Sequence, residues 1–142
     1  MFAPYLEKWG LVRNGEPIVT RAARLLPVRW HGAPAMLKLS VEEEERLGAA
    51  VMQYWDGDGA ARVLACEGDA LLLERALGPA SLGDMARTGQ DEEACRILCR
   101  TAARLHAPRA ATPPALTPLA QWFRSLAPAA PDQAGAKTEA TT

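Results

Sequence analysis

Short apolar segments of strand length run through the first half of the chain. Turn residues separate them at 14–17 (NGEP), 31–34 (HGAP) and 67–69 (EGD), and the last of these has the composition of a hairpin turn. The strands that this pattern predicts cover five ranges: 9–13, 24–30, 35–39, 61–66 and 70–75. Their short connections predict an antiparallel sheet.

A change of period after residue 39 predicts one helix within this sheet. Ser40 is followed three residues later by Glu43, which is the spacing of a capping box. Glutamates at 42–45 fill the first turn, where the helix dipole favours negative charge. Apolar residues then recur at helical spacing and form one face: Leu47, Val51, Tyr54 and Trp55. The segment 56–59 (DGDG) ends the helix.

The second half of the chain predicts helices and then disorder. A connector at 78–79 precedes a short helical piece at 81–86 and a longer helix at 91–106. The apolar face of the longer helix contains five residues: Ala94, Cys95, Leu98, Ala102 and Leu105. Prolines between 108 and 118 predict an extended link before a last short helix at 119–126. We therefore divide the chain into a sheet domain at 1–76, a helical part at 77–126 and a disordered tail at 127–142.

Alternation along the third predicted strand gives its two faces different chemistry. Met36 and Lys38 lie on one face, and Leu37 and Leu39 lie on the other. The predicted helix begins shortly afterwards, so a glutamate in its first turn lies within reach of the lysine across the junction of strand and helix. The sequence thus favours an ion pair next to an apolar side chain that could cover a planar base.

Composition narrows the classes of function. A chain of 142 residues with a formal net charge of −1 offers no electrostatic case for nucleic acid or an acidic membrane. It contains no apolar run of roughly 18 residues, so we expect a cytoplasmic protein. Of its three cysteines, Cys95 and Cys99 are four apart in a helical pattern, where we expect both to be small buried apolar groups.

Several stretches, taken in order, resemble one family of kinases. They are "GEPIVT", "LLPVRWHGAPAMLKL", "EEERLGAAVMQYWDGDGAARVLA", "DALLLERA" and "RLHAP". Together they resemble the aminoglycoside/hydroxyurea resistance kinase family, whose best-known members are the streptomycin 6-kinases. The resemblance covers residues 15 to about 126. It implies an α+β fold in which a kinase-like small lobe, a five-stranded antiparallel sheet with one helix, precedes helices that lead towards a large lobe.

The resemblance also implies an ATP site. Lys38 matches the strand lysine that contacts the α- and β-phosphates of the nucleotide, and Glu45 matches the helix glutamate that pairs with it, with Glu44 as the near rival. Met36 would lie against the base. The alternative is that Lys38 is a solvated strand charge and the glutamates are a solvated first turn of the helix.

Two further segments match the nucleotide site of this family. Residues 73–76 match the hinge, where backbone groups near Glu74 and Ala76 would bind adenine. Thr20 and Ala22 lie in the segment that would cover the phosphates, where members of the family tend to have serines. An alanine retains only its amide for that purpose, so nucleotide affinity depends on fewer donors.

The groups that carry out phosphoryl transfer are missing from the sequence. The reaction needs an aspartate to orient the acceptor hydroxyl, an asparagine a few residues later, and a second aspartate for Mg²⁺. The only asparagine is Asn14, and the only aspartate beyond Asp91 is Asp132 in the predicted tail. The Mg²⁺ ligands of the family are therefore absent. We expect a truncated member of the family that is inactive alone.

Two hypotheses remain open at this point. The first is a phosphotransferase that acts on an aminoglycoside or hydroxyurea-type antibiotic only when a large lobe is present. The second is a non-catalytic remnant, a nucleotide-binding or interaction module. In either case the faces that a large lobe would cover remain apolar, so we expect self-association, and we expect neither nucleic acid nor membrane as a partner.

Overall fold

The computed structural model of the chain describes residues 1–78 and 81–124, apart from the side chains of Glu43 and Glu44. In chain order the elements are α1 (Ala3–Lys8), β1 (Val12–Arg13), β2 (Ile18–Val19), β3 (Ala23–Trp30), β4 (Ala33–Ser40), α2 (Glu43–Trp55), β5 (Val63–Glu67), β6 (Ala70–Glu74), α3 (Leu82–Arg87), α4 (Asp91–His106) and α5 (Leu119–Trp122). The predicted α+β class and small-lobe architecture are confirmed. The predicted tail at 127–142 lies outside the described residues.

One antiparallel sheet of six strands contains all the described strands. Its order is β1-β3-β4-β6-β5, and β2 pairs with β3 beside β1. The prediction of five strands missed β2, because a strand of two residues shows no alternation of its own. β3 has eight residues, so it is long enough to pair with β1 near one end and with β2 near the other.

A two-residue turn joins the two longest strands. His31 and Gly32 have φ angles of 48° and 80°, and positive φ at both positions is typical of the type I′ turn, one of the two turns favoured in tight hairpins. Trp30 therefore pairs directly with Ala33. β4 begins two residues before the predicted start at residue 35, because the turn contains only two of the four residues assigned to it.

The apolar core lies on one face of the sheet. Its buried members come from the strands and their connections: Leu11, Leu26, Val28, Ala35, Leu37, Leu39, Ala70 and Leu72. The side chains around α1 pack against this face: Phe2, Tyr5, Leu6 and Trp9. The strand predicted at 9–13 is thus partly wrong, since Trp9 ends a helix and only 12–13 form a strand. The four side chains have the i, i+3, i+4, i+7 spacing of one helix face, and their contacts with the core stabilise a helix that was not predicted.

The predicted start of α2 at Ser40 is wrong. Ser40 is the buried last residue of β4, and its amide donates to the carbonyl oxygen of Asp69 at 2.8 Å. The hydrogen bond to the β5–β6 turn extends the strand past residue 39. Ser40 therefore does not stand at the start of the helix, and the predicted capping box does not form. Glu42 occupies the N-cap of α2 instead. Leu47, predicted on the apolar face of the helix, is exposed.

α3 and α4 lie within one residue of their predicted bounds, whereas α5 ends at Trp122, before the predicted end at residue 126. Ser81 caps α3 by accepting from the amide of Asp84 at 3.3 Å, and α4 spans the predicted residues. On α4, Ala94 is buried whereas Leu98 is 55% exposed. The thiols of Cys95 and Cys99 are free and exposed, so their predicted burial is wrong. They lie on a side of α4 that no described element covers.

No helix among residues 1–78 and 81–124 is long and apolar enough to cross a bilayer.

Candidate functional site

An ion pair joins the middle of β4 to the first turn of α2. The ammonium of Lys38 donates to Glu45 Oε2, and the two side chains are 24% and 30% exposed. Strand alternation directs Lys38 away from the core that buries Leu37 and Leu39, towards the helix. The ion pair that the sequence predicts is therefore confirmed. The side chain of Glu44, the rival partner, lies outside the described part of the chain.

Polar bonds on either side of this pair hold the start of α2 in place. Arg46, the neighbour of Glu45, forms a two-pronged contact with Asp69, in which Nη2 donates to Oδ2 at 3.2 Å and Nε donates to Oδ1. The backbone carbonyl of Asp69 also accepts from Ser40 at the end of β4. One turn between β5 and β6 is thus bonded to both the strand that carries Lys38 and the helix that carries Glu45. This positions the carboxylate over the ammonium.

The surface beside the ion pair is apolar, as the alternation predicts. Met36 is the direct neighbour of Leu73 on β6, and Lys38 is the direct neighbour of Leu71. Directly paired residues in an antiparallel sheet share a face, so these four side chains lie on the face opposite the core. Met36 and Lys38 are half-buried. The arrangement offers an apolar platform with a cation at its edge.

The segment predicted to cover the phosphates is a tight turn between β2 and β3. The Thr20 hydroxyl accepts from the Ala23 amide at 3.0 Å and donates to the Ala23 carbonyl at 2.9 Å. The carbonyl of Ala22 accepts from the amide of Val41 at 2.9 Å, which places the turn at the junction of β4 and α2. The structure brings Ala22 to this junction, whereas the Thr20 hydroxyl is already used within the turn. Phosphate contact by either residue stays a prediction.

The predicted hinge follows the end of β6. The Glu74 amide donates to the Arg62 carbonyl at 3.0 Å, and Glu74 Oε1 accepts from the Arg62 amide at 2.9 Å. A base bound at the hinge would therefore need other backbone groups than this amide, such as those of Ala76. Glu74 and Ala76 line a cavity of about 480 Å³ together with α4 residues such as Arg104. This cavity shares no lining residue with the surface around Lys38, so the structure does not join the predicted hinge and the predicted phosphate site in one pocket.

Sequence reasoning missed a cluster of charges that joins the loop after α2 to the end of α4. Arg109, whose side chain is only 11% exposed, donates to the Leu105 carbonyl at 2.7 Å, to the Asp58 carbonyl at 2.9 Å and to Asp58 Oδ2 at 3.0 Å. Arg104 also donates to Asp58. The hydrogen bond from Arg104, with the nearby charges of both arginines, holds the pKa of Asp58 below its usual value. The available signal was Asp58 itself, interpreted only as part of a turn.

Close packing accompanies these bonds. Gly59 has a φ of 86°, and a side-chain carbon added there would lie 3.0 Å from Leu105 Cδ2. The Trp55 indole donates to the Leu105 carbonyl at 3.3 Å. A glycine is therefore required at 59 both for its backbone conformation and for the approach of α4. The first long helix after the hinge is in contact with the loop that follows α2.

The described residues offer no obvious metal centre. Within 1–78 and 81–124, no group of three or more histidine, cysteine, aspartate or glutamate side chains is arranged to hold a metal ion. Asp58 is bonded to two arginines, and Glu45 to Lys38. These residues do not fit a Mg²⁺ site, and we derive no step through one.

Comparison with known proteins gives one family and two curated relatives. Residues 8–142 match the family described as aminoglycoside/hydroxyurea antibiotic resistance kinase. The chain is 52% identical over 121 residues, 85% of its length, to a streptomycin 3''-kinase from Klebsiella pneumoniae. An alignment of 142 positions, which covers 97% of the chain, shows 34% identity to a hydroxyurea phosphotransferase from Kitasatospora aureofaciens. These matches cover 46% and 41% of the two relatives, so the chain spans less than half of each. No solved structure matches the chain.

Proposed function

We propose, since the chain belongs to the aminoglycoside/hydroxyurea antibiotic resistance kinase family, that it forms the nucleotide-binding half of an antibiotic phosphotransferase. The reaction would transfer a phosphoryl group from ATP to a hydroxyl group of the antibiotic. Streptomycin and hydroxyurea are the compounds for which the two relatives are named, and we propose an acceptor of these classes. The observation that carries the proposal is the Lys38–Glu45 pair at the edge of an apolar platform.

Each residue of the proposed site has a separate task. Lys38 would hold the α- and β-phosphates, while Glu45 keeps its ammonium in place. Met36 would cover the base, whose polar edge would bond to the backbone near Ala76. Bound ATP would supply the phosphoryl group. The amide of Ala22, in the turn beside the start of α2, would donate to the phosphates.

The chemical step needs residues that this chain does not contain. The backbone amide of its one asparagine, Asn14, donates to the Pro27 carbonyl in the turn after β1. A nucleotide-binding module without transferase activity is therefore the second candidate, and the missing aspartate and asparagine favour it. If the chain alone binds nucleotide but transfers no phosphoryl group, that result would support the second candidate. We propose a cytoplasmic location, in which its three free thiols would stay reduced.

The Lys38→Ala variant should bind ATP about tenfold to hundredfold more weakly, because a charged hydrogen bond to phosphate contributes roughly 1.5–3 kcal/mol. The variant should still fold, since a partly exposed ion pair stabilises a domain by under about 1 kcal/mol. Isothermal titration calorimetry gives the dissociation constants, and circular dichroism checks the fold.

The matched control for this prediction is Lys8→Ala. Lys8, on α1, forms an ion pair with Glu67 at 2.5 Å, and the two side chains are 57% and 48% exposed. Its loss should leave the dissociation constant for ATP within about twofold of the parent value. Equal affinities for the parent and Lys38→Ala, or no detectable binding by the parent chain, would overturn the proposed nucleotide site.

We also propose that the purified chain self-associates. Large apolar side chains in the second half are more than half exposed: Leu98, Leu116, Leu119, Trp122 and Phe123. Such surfaces commonly mark interaction sites, and a second copy is the partner present in a pure sample. Size-exclusion chromatography with light scattering should show a mass that rises with concentration. A constant monomer mass over the same series would contradict this expectation.

A further inference from the structure

A second cavity lies between α2 and the sheet, beside the Lys38–Glu45 pair. Its volume is about 320 Å³, which is at the lower end of the range for small-molecule sites, roughly 300–1,000 Å³. The lining is apolar except for one residue. Its main contributors are Lys38, Gly48, Met52, Trp55, Leu71 and Leu73. The cavity is partly open to solvent and combines an apolar lining with a single cation.

Gly48 is the residue that ordinary helix chemistry does not explain. It lies inside α2, where glycine is less favourable than alanine. It lines the cavity, one helical turn after Glu45 and one before Met52. A glycine is usually needed where φ is positive or a neighbour approaches closely. Neither applies, because the backbone is helical and an added Cβ would meet no heavy atom within 4 Å. The glycine instead leaves open the space next to Lys38.

The walls of this cavity are held in place without a ligand. Leu71 is buried in the central part of the sheet, and the Trp55 indole is oriented by its hydrogen bond to the Leu105 carbonyl on α4. Arg46 fixes the first turn of α2 through Asp69. The space is therefore formed in advance, and binding would require little rearrangement.

The ion pair determines which ligand chemistry fits. The ammonium of Lys38 has three N–H donors, and Glu45 accepts from it in the structure. A carboxylate ligand would compete with Glu45 for the charge, whereas a neutral carbonyl oxygen would accept a further N–H without displacing it. We propose that this cavity binds a compact neutral molecule of one or two rings that carries one carbonyl acceptor for Lys38. The site shares Lys38, Leu71 and Leu73 with the surface proposed for the nucleotide, but its ligand belongs to another chemical class and its test needs no nucleotide.

Benzamide is a suitable probe, with benzoate as its charged counterpart. In a titration of the full chain followed by ¹⁵N NMR, benzamide should cause saturable shifts at Gly48, Met52 and the Trp55 indole. Benzoate should bind at least about fivefold more weakly than benzamide, because its carboxylate competes with Glu45 for the ammonium of Lys38. Absence of saturable benzamide binding, or tighter binding of benzoate than of benzamide, would overturn the proposal.

A pair of leucine substitutions on α2 separates binding in the cavity from binding elsewhere. Gly48→Leu fills the space and should weaken benzamide binding about tenfold or more, while Ala50→Leu on the exposed side of the helix should leave it within about twofold. If Gly48→Leu does not fold, Gly48→Ala is used, and it should raise the melting temperature while weakening binding about threefold. Equal affinity in the parent and the Gly48 variant would place the probe elsewhere and refute the site. No nucleotide is present, so this result and the Lys38→Ala result on ATP are independent.

Discussion

Incubated with ATP, Mg²⁺ and streptomycin, the purified 142-residue chain should transfer no phosphate above the rate measured without protein. Catalysis of phosphoryl transfer consists almost entirely of positioning and charge stabilisation, which in enzymes amount to rate enhancements of roughly 10⁶-fold or more. The aspartates and asparagine that provide both effects are missing from the sequence. The expected loss is therefore the whole enhancement, and transfer of radiolabel from ATP measures it.

The streptomycin 3''-kinase from Klebsiella pneumoniae serves as the positive control, because it is similar to this chain over 85% of the chain's length and extends well beyond the matched part. Transfer by the 142-residue chain that disappears in Lys38→Ala would contradict the prediction. It would mean that residues outside the expected catalytic set position the acceptor.

Replacing Leu72 by alanine should lower the free energy of unfolding by about 2–5 kcal/mol. The Leu72 side chain is 0% exposed and is paired with Leu37 in the centre of the sheet, where truncation leaves a cavity that rigid neighbours cannot close. That is a large share of the roughly 5–15 kcal/mol by which domains of this size are stable. Urea unfolding followed by circular dichroism measures the change.

Leu98→Ala is the matched control for Leu72→Ala. The same atoms are removed, but Leu98 is 55% exposed on α4, so the cost should stay below about 1 kcal/mol. Similar losses at the two positions would show that the core does not lie on the face of the sheet described above.

The elements that the sequence predicted correctly depend on local patterns. The Lys38–Glu45 pair follows from the period of a strand and the start of a helix only seven residues apart. The hairpin of β5 and β6 and the bounds of α4 likewise depend on nearby residues. Each of these features needs few distant contacts to be specified, so the sequence alone was sufficient.

The features that the sequence did not predict depend on distant contacts. α1 has a local signal, since Phe2, Tyr5, Leu6 and Trp9 recur at helical spacing, but a helix of six residues is too short to be stable alone and depends on the packing of these side chains on the core. Ser40 failed as a cap because Asp69, far along the chain, accepts from its amide. The exposed face of α4 at Cys95 could not be known without knowing which helix lies beside it. Arg109 gave no signal because Asp58, its charged partner, is in another part of the sequence.

The hydrogen bonds of Arg109 limit how α4 can move relative to the sheet. A rotation at residues 75–77, where β6 leads into the later helices, would be expected to move α4 away from the sheet. Arg109, however, bonds the end of α4 to Asp58, and its guanidinium lies 5.7 Å from the centre of the Tyr54 ring on α2. Displacement of α4 must therefore either break these contacts or carry α2 with it. Because α2 also carries Glu45, a pull on α4 would change the distance between that carboxylate and Lys38.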